Sequence, residues 1–130
     1  MRKFIPIILS ALMLTGCGVT SKATNNTYRS ITMDEAVTMM AQKTDFVILD
    51  VRRPDEFLSG HIPDAINVPN ENIGTAEISE LPDKNQLIMV YCRSGRRSKE
   101  ASEKLVKLGY VNIVEFGGIL DWKGEIVIGE

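Results

Sequence analysis

One cysteine surrounded by arginines is the feature of this 130-residue chain that is best suited to chemistry. Cys92 directly follows the apolar run of residues 87–91, and Arg93, Arg96 and Arg97 come immediately after it. A thiol in a positive field is favoured in its thiolate form, which is the form that attacks electrophiles. The pattern therefore predicts a nucleophilic cysteine. A buried structural cysteine beside a solvated basic turn is the less favoured alternative.

The residues that follow Cys92 are suited to binding an anion. If a helix begins near Arg97 or Ser98, its first N–H groups have no partner within the helix, and its N-terminus carries about half a positive charge. Gly95 permits the backbone curvature with which the loop aims several N–H groups at one point. We therefore expect the anion to be bound by six consecutive residues, namely Arg93, Ser94, Gly95, Arg96, Arg97 and Ser98.

Short apolar runs that alternate with helical segments must position this loop. They predict strands near residues 45–51, 65–69, 86–91 and 112–116. Strands and helices that alternate in this order imply an α/β fold, with a mainly parallel central sheet and helices on both faces. Ligands bind such sheets at the carboxyl ends of the strands. Cys92 lies at such an end.

Three main helices are expected to cover the sheet. A capping box at residues 32–35 opens the first, whose apolar face is predicted to include Ala36, Val37, Met40 and Ala41. A short second helix begins at residue 54, where proline is favoured as the first helical residue. The third covers residues 98–108, and Gly109 stands where a left-handed residue commonly ends a helix.

Four motifs, in the right order and spacing, resemble the rhodanese (thiosulfate sulfurtransferase) family. They are DVRRPDEF at residues 50–57, GHIPDAINVP at 60–69, CRSGRRS at 92–98 and GGILDW at 117–122. Asp64 occupies a position where glycine is common in that family. The resemblance implies a rhodanese-like domain over residues 30–130. It also implies that Cys92 is the catalytic nucleophile and carries a sulfane sulfur as a persulfide, whose outer sulfur the loop amides hold.

The activity implied by the resemblance is transfer of a sulfane sulfur from thiosulfate or a persulfide donor to a thiophilic acceptor, such as cyanide or a thiol. One alternative is a persulfide carrier or sulfide-binding module that hands sulfur to a partner protein without turnover. An arsenate reductase or a phosphatase is less favoured. Cysteine phosphatases use Cys-x5-Arg, but the residue six positions after Cys92 is Ser98, and the nearest arginine, Arg97, comes one position earlier. The substrates are expected to be small molecules, and no cofactor or metal is implied.

Three residues elsewhere in the motifs are expected to support the site structurally. Asp50 and Arg52 end a strand beside the cleft. A structural ion pair, for example of Arg52 with Glu56, is favoured over an electrostatic frame for the loop. His61 is the only histidine. An ionised thiol needs no general base, so we expect His61 to be a hydrogen-bonded structural residue. Trp122 is expected in the core or in a pocket wall.

The N-terminus is typical of an exported lipoprotein. Two basic residues precede an apolar stretch at residues 4–14, which is too short to span a membrane. The motif LTGC at residues 14–17 resembles the lipobox of bacterial lipoproteins. We expect a signal peptide over residues 1–16, then a lipidated Cys17 and a flexible tether over residues 17–29. The protein would then be extracytoplasmic and anchored by lipid to a bacterial membrane.

Two further expectations follow from composition. Once Cys17 carries lipid, Cys92 is the remaining cysteine and is expected to be a free reactive thiol. The formal net charge of the whole chain is −2, and removal of the basic signal peptide makes the mature chain more acidic. Such a surface does not favour nucleic acid as a partner.

Overall fold

A parallel sheet of five strands forms the centre of the domain in the computed structural model, which describes residues 27–130. Cys17, the predicted signal peptide and most of the predicted tether lie outside the described residues. The strands are ordered β1-β5-β4-β2-β3, and all the pairings between them are parallel. Their bounds are β1 Arg29–Ser30, β2 Phe46–Asp50, β3 Ile66–Asn67, β4 Leu87–Cys92 and β5 Ile113–Gly118. The two-residue edge strand β1 was not predicted from the sequence.

Three α-helices accompany the sheet, α1 Met33–Gln42, α2 Pro54–Ser59 and α3 Arg96–Lys107. Short 3₁₀ helices occur at Asn70–Asn72 and Ile119–Asp121. The capping box of α1 is formed: the Glu35 N–H donates to the Thr32 hydroxyl at 3.0 Å, and the Thr32 N–H donates to the Glu35 carboxylate at 2.8 Å. Gly109 follows α3 with a φ of 102°, as its predicted role requires. None of the helices within residues 27–130 is long and apolar enough to cross a membrane.

Helices cover both faces of the sheet because successive strand residues point to opposite sides. On one face, Ala101 of α3 joins the core cluster that contains Ile88 and Val90. On the other face, Ala36 of α1 joins the cluster that contains Met89. The prediction of an α/β fold with a parallel sheet between helices is therefore confirmed.

The predicted apolar face of α1 is only partly correct. Ala36 is fully buried, and Met40 is partly buried against the same core cluster. Val37 is 47% exposed, however, and Ala41 is exposed as well. Met33 packs there instead, because the residue three positions before Ala36 shares its helical face, whereas the residue directly after it is rotated away from that face.

Two local features differ from the sequence expectation in an informative way. The helix α3 begins at Arg96 rather than near Arg97 or Ser98, so that the turn between β4 and α3 contains only residues 93–95. Asp64 has a φ of 70° and is the only non-glycine residue with positive φ in the described chain. The left-handed conformation explains the preference for glycine at this position, and aspartate is among the residues that tolerate it.

Candidate active site

Cys92 is the last residue of β4 and lies at the carboxyl end of the sheet, next to the start of α3. Only 1% of the Cys92 residue is exposed to solvent. The Gly95 N–H donates to the Cys92 Sγ at 3.0 Å. Gly95 makes this contact with a φ of 123°, a backbone conformation that residues with a side chain rarely adopt. The loop therefore curls back on the sulfur, and Gly95 provides the backbone curvature that was predicted for it.

Further amides are available at the start of α3. The first helical hydrogen bond is donated by the Lys99 N–H to the Gly95 carbonyl at 3.3 Å. The N–H groups of Arg96, Arg97 and Ser98 precede it and have no acceptor within the helix. Together with the positive end of the helix dipole, they favour negative charge at the mouth of the loop. An anionic sulfur is the group that this arrangement stabilises.

The three loop arginines differ in their partners. Arg97 forms a bidentate ion pair with Glu56, with distances of 2.7 and 3.1 Å, and its side chain is 19% exposed. Arg96 is 74% exposed and pairs with Glu100 at 2.9 Å. Arg93 is exposed and forms no ion pair or side-chain hydrogen bond within residues 27–130. Of the three, Arg93 therefore has its guanidinium most available for an incoming anion.

The ion pair between Arg97 and Glu56 ties α3 to the first turn of α2. Its hydrogen bonds, which outweigh the opposing effect of burial, lower the pKa of Glu56 from 4.5 to about 2. Glu56 also accepts the Arg53 N–H at 3.0 Å, which caps α2. The carboxylate thus joins two helix starts and holds the charge of Arg97 beside the cysteine loop.

An open cleft of about 470 Å³ lies above the loop. Cys92 lines its floor. The other lining residues are four arginines, one serine and two glutamates, namely Arg53, Arg93, Arg96, Arg97, Ser94, Glu56 and Glu71. Glu71, from the 3₁₀ helix after β3, was not predicted as a site residue. No local sequence signal indicates it, because it reaches the cleft only through the path of the chain after β3.

Arg52 takes part in a structural ion pair, as expected, but its partner is not Glu56. Arg52 binds Asp50 instead, at 2.6 Å between Nη2 and Oδ2, and both side chains are buried. The same nitrogen donates to the Gly60 carbonyl at 2.7 Å. Arg52 turns back over the end of β2, whereas Glu56 faces the loop and takes Arg97. The pair of Asp50 and Arg52 thus joins the end of β2 to the turn after α2.

His61 lies beside α2 and the C-terminal segment. Its Nδ1 is 3.0 Å from the Phe57 carbonyl, and its ring stacks on the Phe57 ring with centroids 3.8 Å apart. Its backbone forms an antiparallel bridge with Val127. Trp122 is partly buried and packs against the core cluster on the α1 face of the sheet. The contacts of His61 are with the scaffold around the loop rather than with the loop itself.

A buried carboxylate beneath the loop was missed by the sequence analysis. Glu115 of β5 is 2% exposed and accepts hydrogen bonds from the Ser98 hydroxyl at 2.6 Å, the Gly117 N–H at 2.8 Å and the Ser30 hydroxyl at 2.9 Å. The Ser98 Oγ is in turn 3.5 Å from the Cys92 Sγ. An acidic residue in the middle of an otherwise apolar strand was the signal that would have revealed it.

Gly118 is a further residue whose contribution the sequence alone did not reveal. A Cβ at this position would overlap the carbonyl group of Arg93. The Leu120 N–H donates to that same carbonyl at 3.2 Å. The end of β5 thus packs backbone to backbone against the cysteine loop and supports it from below, which only glycine permits.

The fold and the site define a class of protein, namely an α/β domain with a cysteine at the end of a central parallel strand, beneath a loop of backbone amides. Within this class, residues 32–125 match the model of the rhodanese-like domain, and the chain belongs to the rhodanese family. A thiosulfate sulfurtransferase of Escherichia coli is 37% identical over 73 residues, which are 56% of this chain and 70% of that protein.

Solved structures give the same result for the fold. A rhodanese-like domain protein from Staphylococcus aureus matches with a TM-score of 0.67 and 30% identity, over 78% of this chain and 99% of its own. A rhodanese from E. coli, determined with anions, matches with a TM-score of 0.59 and 35% identity, over 64% of this chain and 98% of its own. The predicted rhodanese-like fold is therefore confirmed.

Proposed function

We propose that this protein is a sulfurtransferase that moves a sulfane sulfur from thiosulfate or a persulfide donor to a thiophilic acceptor, cyanide or a thiol. The sulfur is carried as a persulfide on Cys92. The observation that supports this most strongly is the position of the Cys92 Sγ, which receives the Gly95 N–H at 3.0 Å at the floor of an arginine-lined cleft. Membership of the rhodanese family and the similarity to a named thiosulfate sulfurtransferase agree with it.

The first half-reaction loads the cysteine. The Cys92 thiolate attacks the outer sulfur of thiosulfate, a new S–S bond forms, and the S–S bond of the donor breaks as sulfite leaves with the electron pair. Arg93 attracts the anionic donor, since no protein carboxylate neutralises it within residues 27–130. The outer sulfur of the persulfide then lies among the first amides of α3, which stabilise its negative charge.

The second half-reaction releases the sulfur. Cyanide or a thiolate attacks the outer sulfur, the S–S bond to Cys92 breaks, and its electron pair returns to the Sγ. The leaving thiolate is stabilised by the same Gly95 N–H that faces it in the resting site. Because the sulfur is held covalently on Cys92, its transfer from an anionic donor to an anionic acceptor is divided into two separate displacements. Neither displacement requires a cofactor.

Thiocyanate release from thiosulfate and cyanide by the purified full chain tests the proposal. We expect turnover in the unmodified chain, no turnover in Cys92→Ser, and retained turnover in Cys17→Ser, which controls for loss of a thiol. Mass spectrometry after thiosulfate alone should find one added sulfur atom on the tryptic peptide of residues 85–93, which contains Cys92 but not Cys17. A stable persulfide without thiocyanate release would identify a carrier, and hydrolysis of aryl phosphates without sulfur transfer would overturn the assignment.

We further propose that the sulfur transfer takes place outside the cytoplasm, on a domain tethered by lipid to a bacterial membrane. The basic residues, the short apolar stretch and the LTGC motif at residues 14–17 support this proposal. Acyl chains on Cys17 would hold the domain at the membrane, at about 0.8 kcal/mol for each buried methylene group. The donor and acceptor would then be sulfur compounds present in that compartment.

A further inference from the structure

Glu115 is a buried carboxylate that the proposed reaction does not use. It is 2% exposed, and within residues 27–130 no Lys, Arg or His side chain forms an ion pair with it. Its oxygens receive only two hydroxyl groups and one backbone N–H. A buried carboxylate without a cation is costly, and a second anion nearby makes it more so. The thiolate of Cys92 would be such a second anion.

Ser98 connects the two groups. Its hydroxyl oxygen is 2.6 Å from the Glu115 Oε2 and 3.5 Å from the Cys92 Sγ. A serine hydroxyl has a single proton, and the contact with the carboxylate is the shortest that this oxygen makes. The hydroxyl therefore donates to Glu115 and presents a lone pair to the sulfur. This arrangement fits a protonated thiol beside an ionised carboxylate.

We propose that Cys92 and Glu115 share one proton across Ser98, so that Glu115 is a positioning residue that controls ionisation of the catalytic thiol. In the transfer, the S–H bond breaks, the thiol proton moves to the Ser98 oxygen, and the proton of Ser98 moves to the Glu115 carboxylate. The product is a thiolate that accepts from Ser98, beside a neutral carboxylic acid. The buried pocket holds one negative charge before the transfer and one after it.

Other titratable groups do not account for this exchange. The surrounding titratable and charged groups are Tyr28 with Glu103 on the Glu115 side, Lys99 beside Gly95, and the six charged residues that line the cleft with Cys92, namely Arg53, Glu56, Glu71, Arg93, Arg96 and Arg97. Burial, and then the charges of Glu103 and Glu115, raise the pKa of Tyr28 further above neutrality. The hydrogen bonds between Glu56 and Arg97 lower the pKa of Glu56 and raise that of Arg97, so both stay charged across the neutral range. Glu103 is exposed. The only histidine, His61, is held against Phe57 away from this pocket.

The rate of Cys92 alkylation by iodoacetamide as a function of pH tests the proposal in the full chain. The tryptic peptide of residues 85–93 reports Cys92 separately from Cys17. Because two coupled groups lose their protons in two macroscopic steps, the rate in the unmodified chain should rise in two steps. Glu115→Gln should show one step. Between the two original steps it should react roughly two- to tenfold faster, because no carboxylate opposes the thiolate.

The glutamine variant is a close match for the native hydrogen bonds. Its amide oxygen can accept from Ser98 and Gly117, and its amide nitrogen can donate to the Ser30 hydroxyl. Ser30→Ala is the control, since it removes one hydrogen bond from Glu115 and leaves the shared proton in place; it should keep both steps. A single step in the unmodified chain, or two steps that persist in Glu115→Gln, would overturn the proposal.

Infrared spectroscopy gives a second test that needs no variant. Between the two steps, the difference spectrum between the free chain and the chain carbamidomethylated at its cysteines should contain the carbonyl band of a protonated carboxylic acid. Absence of that band would also refute proton sharing. The inference rests on Cys92 being the reactive group of the proposed function, but alkylation requires no sulfur transfer. A chain that shows the two steps and releases no thiocyanate would refute the proposed function alone.

Discussion

The ion pair between Glu56 and Arg97 should contribute measurably to stability, and Glu56→Gln is the change that removes it. The two side chains are 15% and 19% exposed and make two short contacts. The fall in the pKa of Glu56 from 4.5 to about 2 corresponds to roughly 3 kcal/mol before solvent screening. The pair borders an open cleft, so we discount this value and expect a loss of about 1–2 kcal/mol at neutral pH.

The pH dependence of this loss has a definite sign. Glu56 is more acidic in the folded chain than in the unfolded chain, so that the folded state binds fewer protons over the interval between the two pKa values. The stabilisation is fully present above about 4.5, declines as the pH falls, and is absent below about 2. The difference in stability between the unmodified chain and Glu56→Gln should follow the same course.

Urea unfolding at several pH values, followed by circular dichroism, measures this difference. Glu100→Gln is the matched control, because it removes the same charge from the exposed pair with Arg96. An exposed pair of this spacing contributes only about 0.3–0.5 kcal/mol. If Glu56→Gln costs no more than Glu100→Gln, or if its cost does not diminish in acid, the ion pair does not hold α2 and α3 together as described.

Three further outcomes are expected. Arg93→Ala should raise the KM for thiosulfate by about tenfold with little change in the free energy of unfolding. The control Lys107→Ala should change neither quantity. Steady-state kinetics measures the KM, and urea unfolding measures the free energy. Gly118→Ala should destabilise the domain by more than about 2 kcal/mol in the same unfolding assay, because the new Cβ overlaps the Arg93 carbonyl; normal stability would contradict that account of the packing. Cys17→Ala should abolish lipidation, which fractionation and intact-mass measurements detect. If the chain without substitutions is soluble and its mature form begins at a residue other than Cys17, the lipid anchor is excluded.

The elements of the fold were predictable because their signals are local. The capping box at Thr32, the left-handed Gly109 and the apolar runs of β2 and β4 each reflect backbone and burial preferences within a few residues. The start of α3 was placed one or two residues too late. A helix start depends on how the preceding loop closes, and here Gly95 both bonds the cysteine sulfur and precedes the first helical residue.

The sequence by itself determined that a cysteine stands at the end of a buried strand, followed by a glycine and a basic helix start. Only the tertiary structure decided the partner of each charge. Arg97 binds Glu56, which is 41 residues away, and Arg52 binds Asp50 rather than Glu56. Glu115 meets Ser98 because β5 pairs with β4 and α3 packs over both. Hydrogen bonds and ion pairs act over a few ångströms, so their partners are known only after the chain has brought distant segments together.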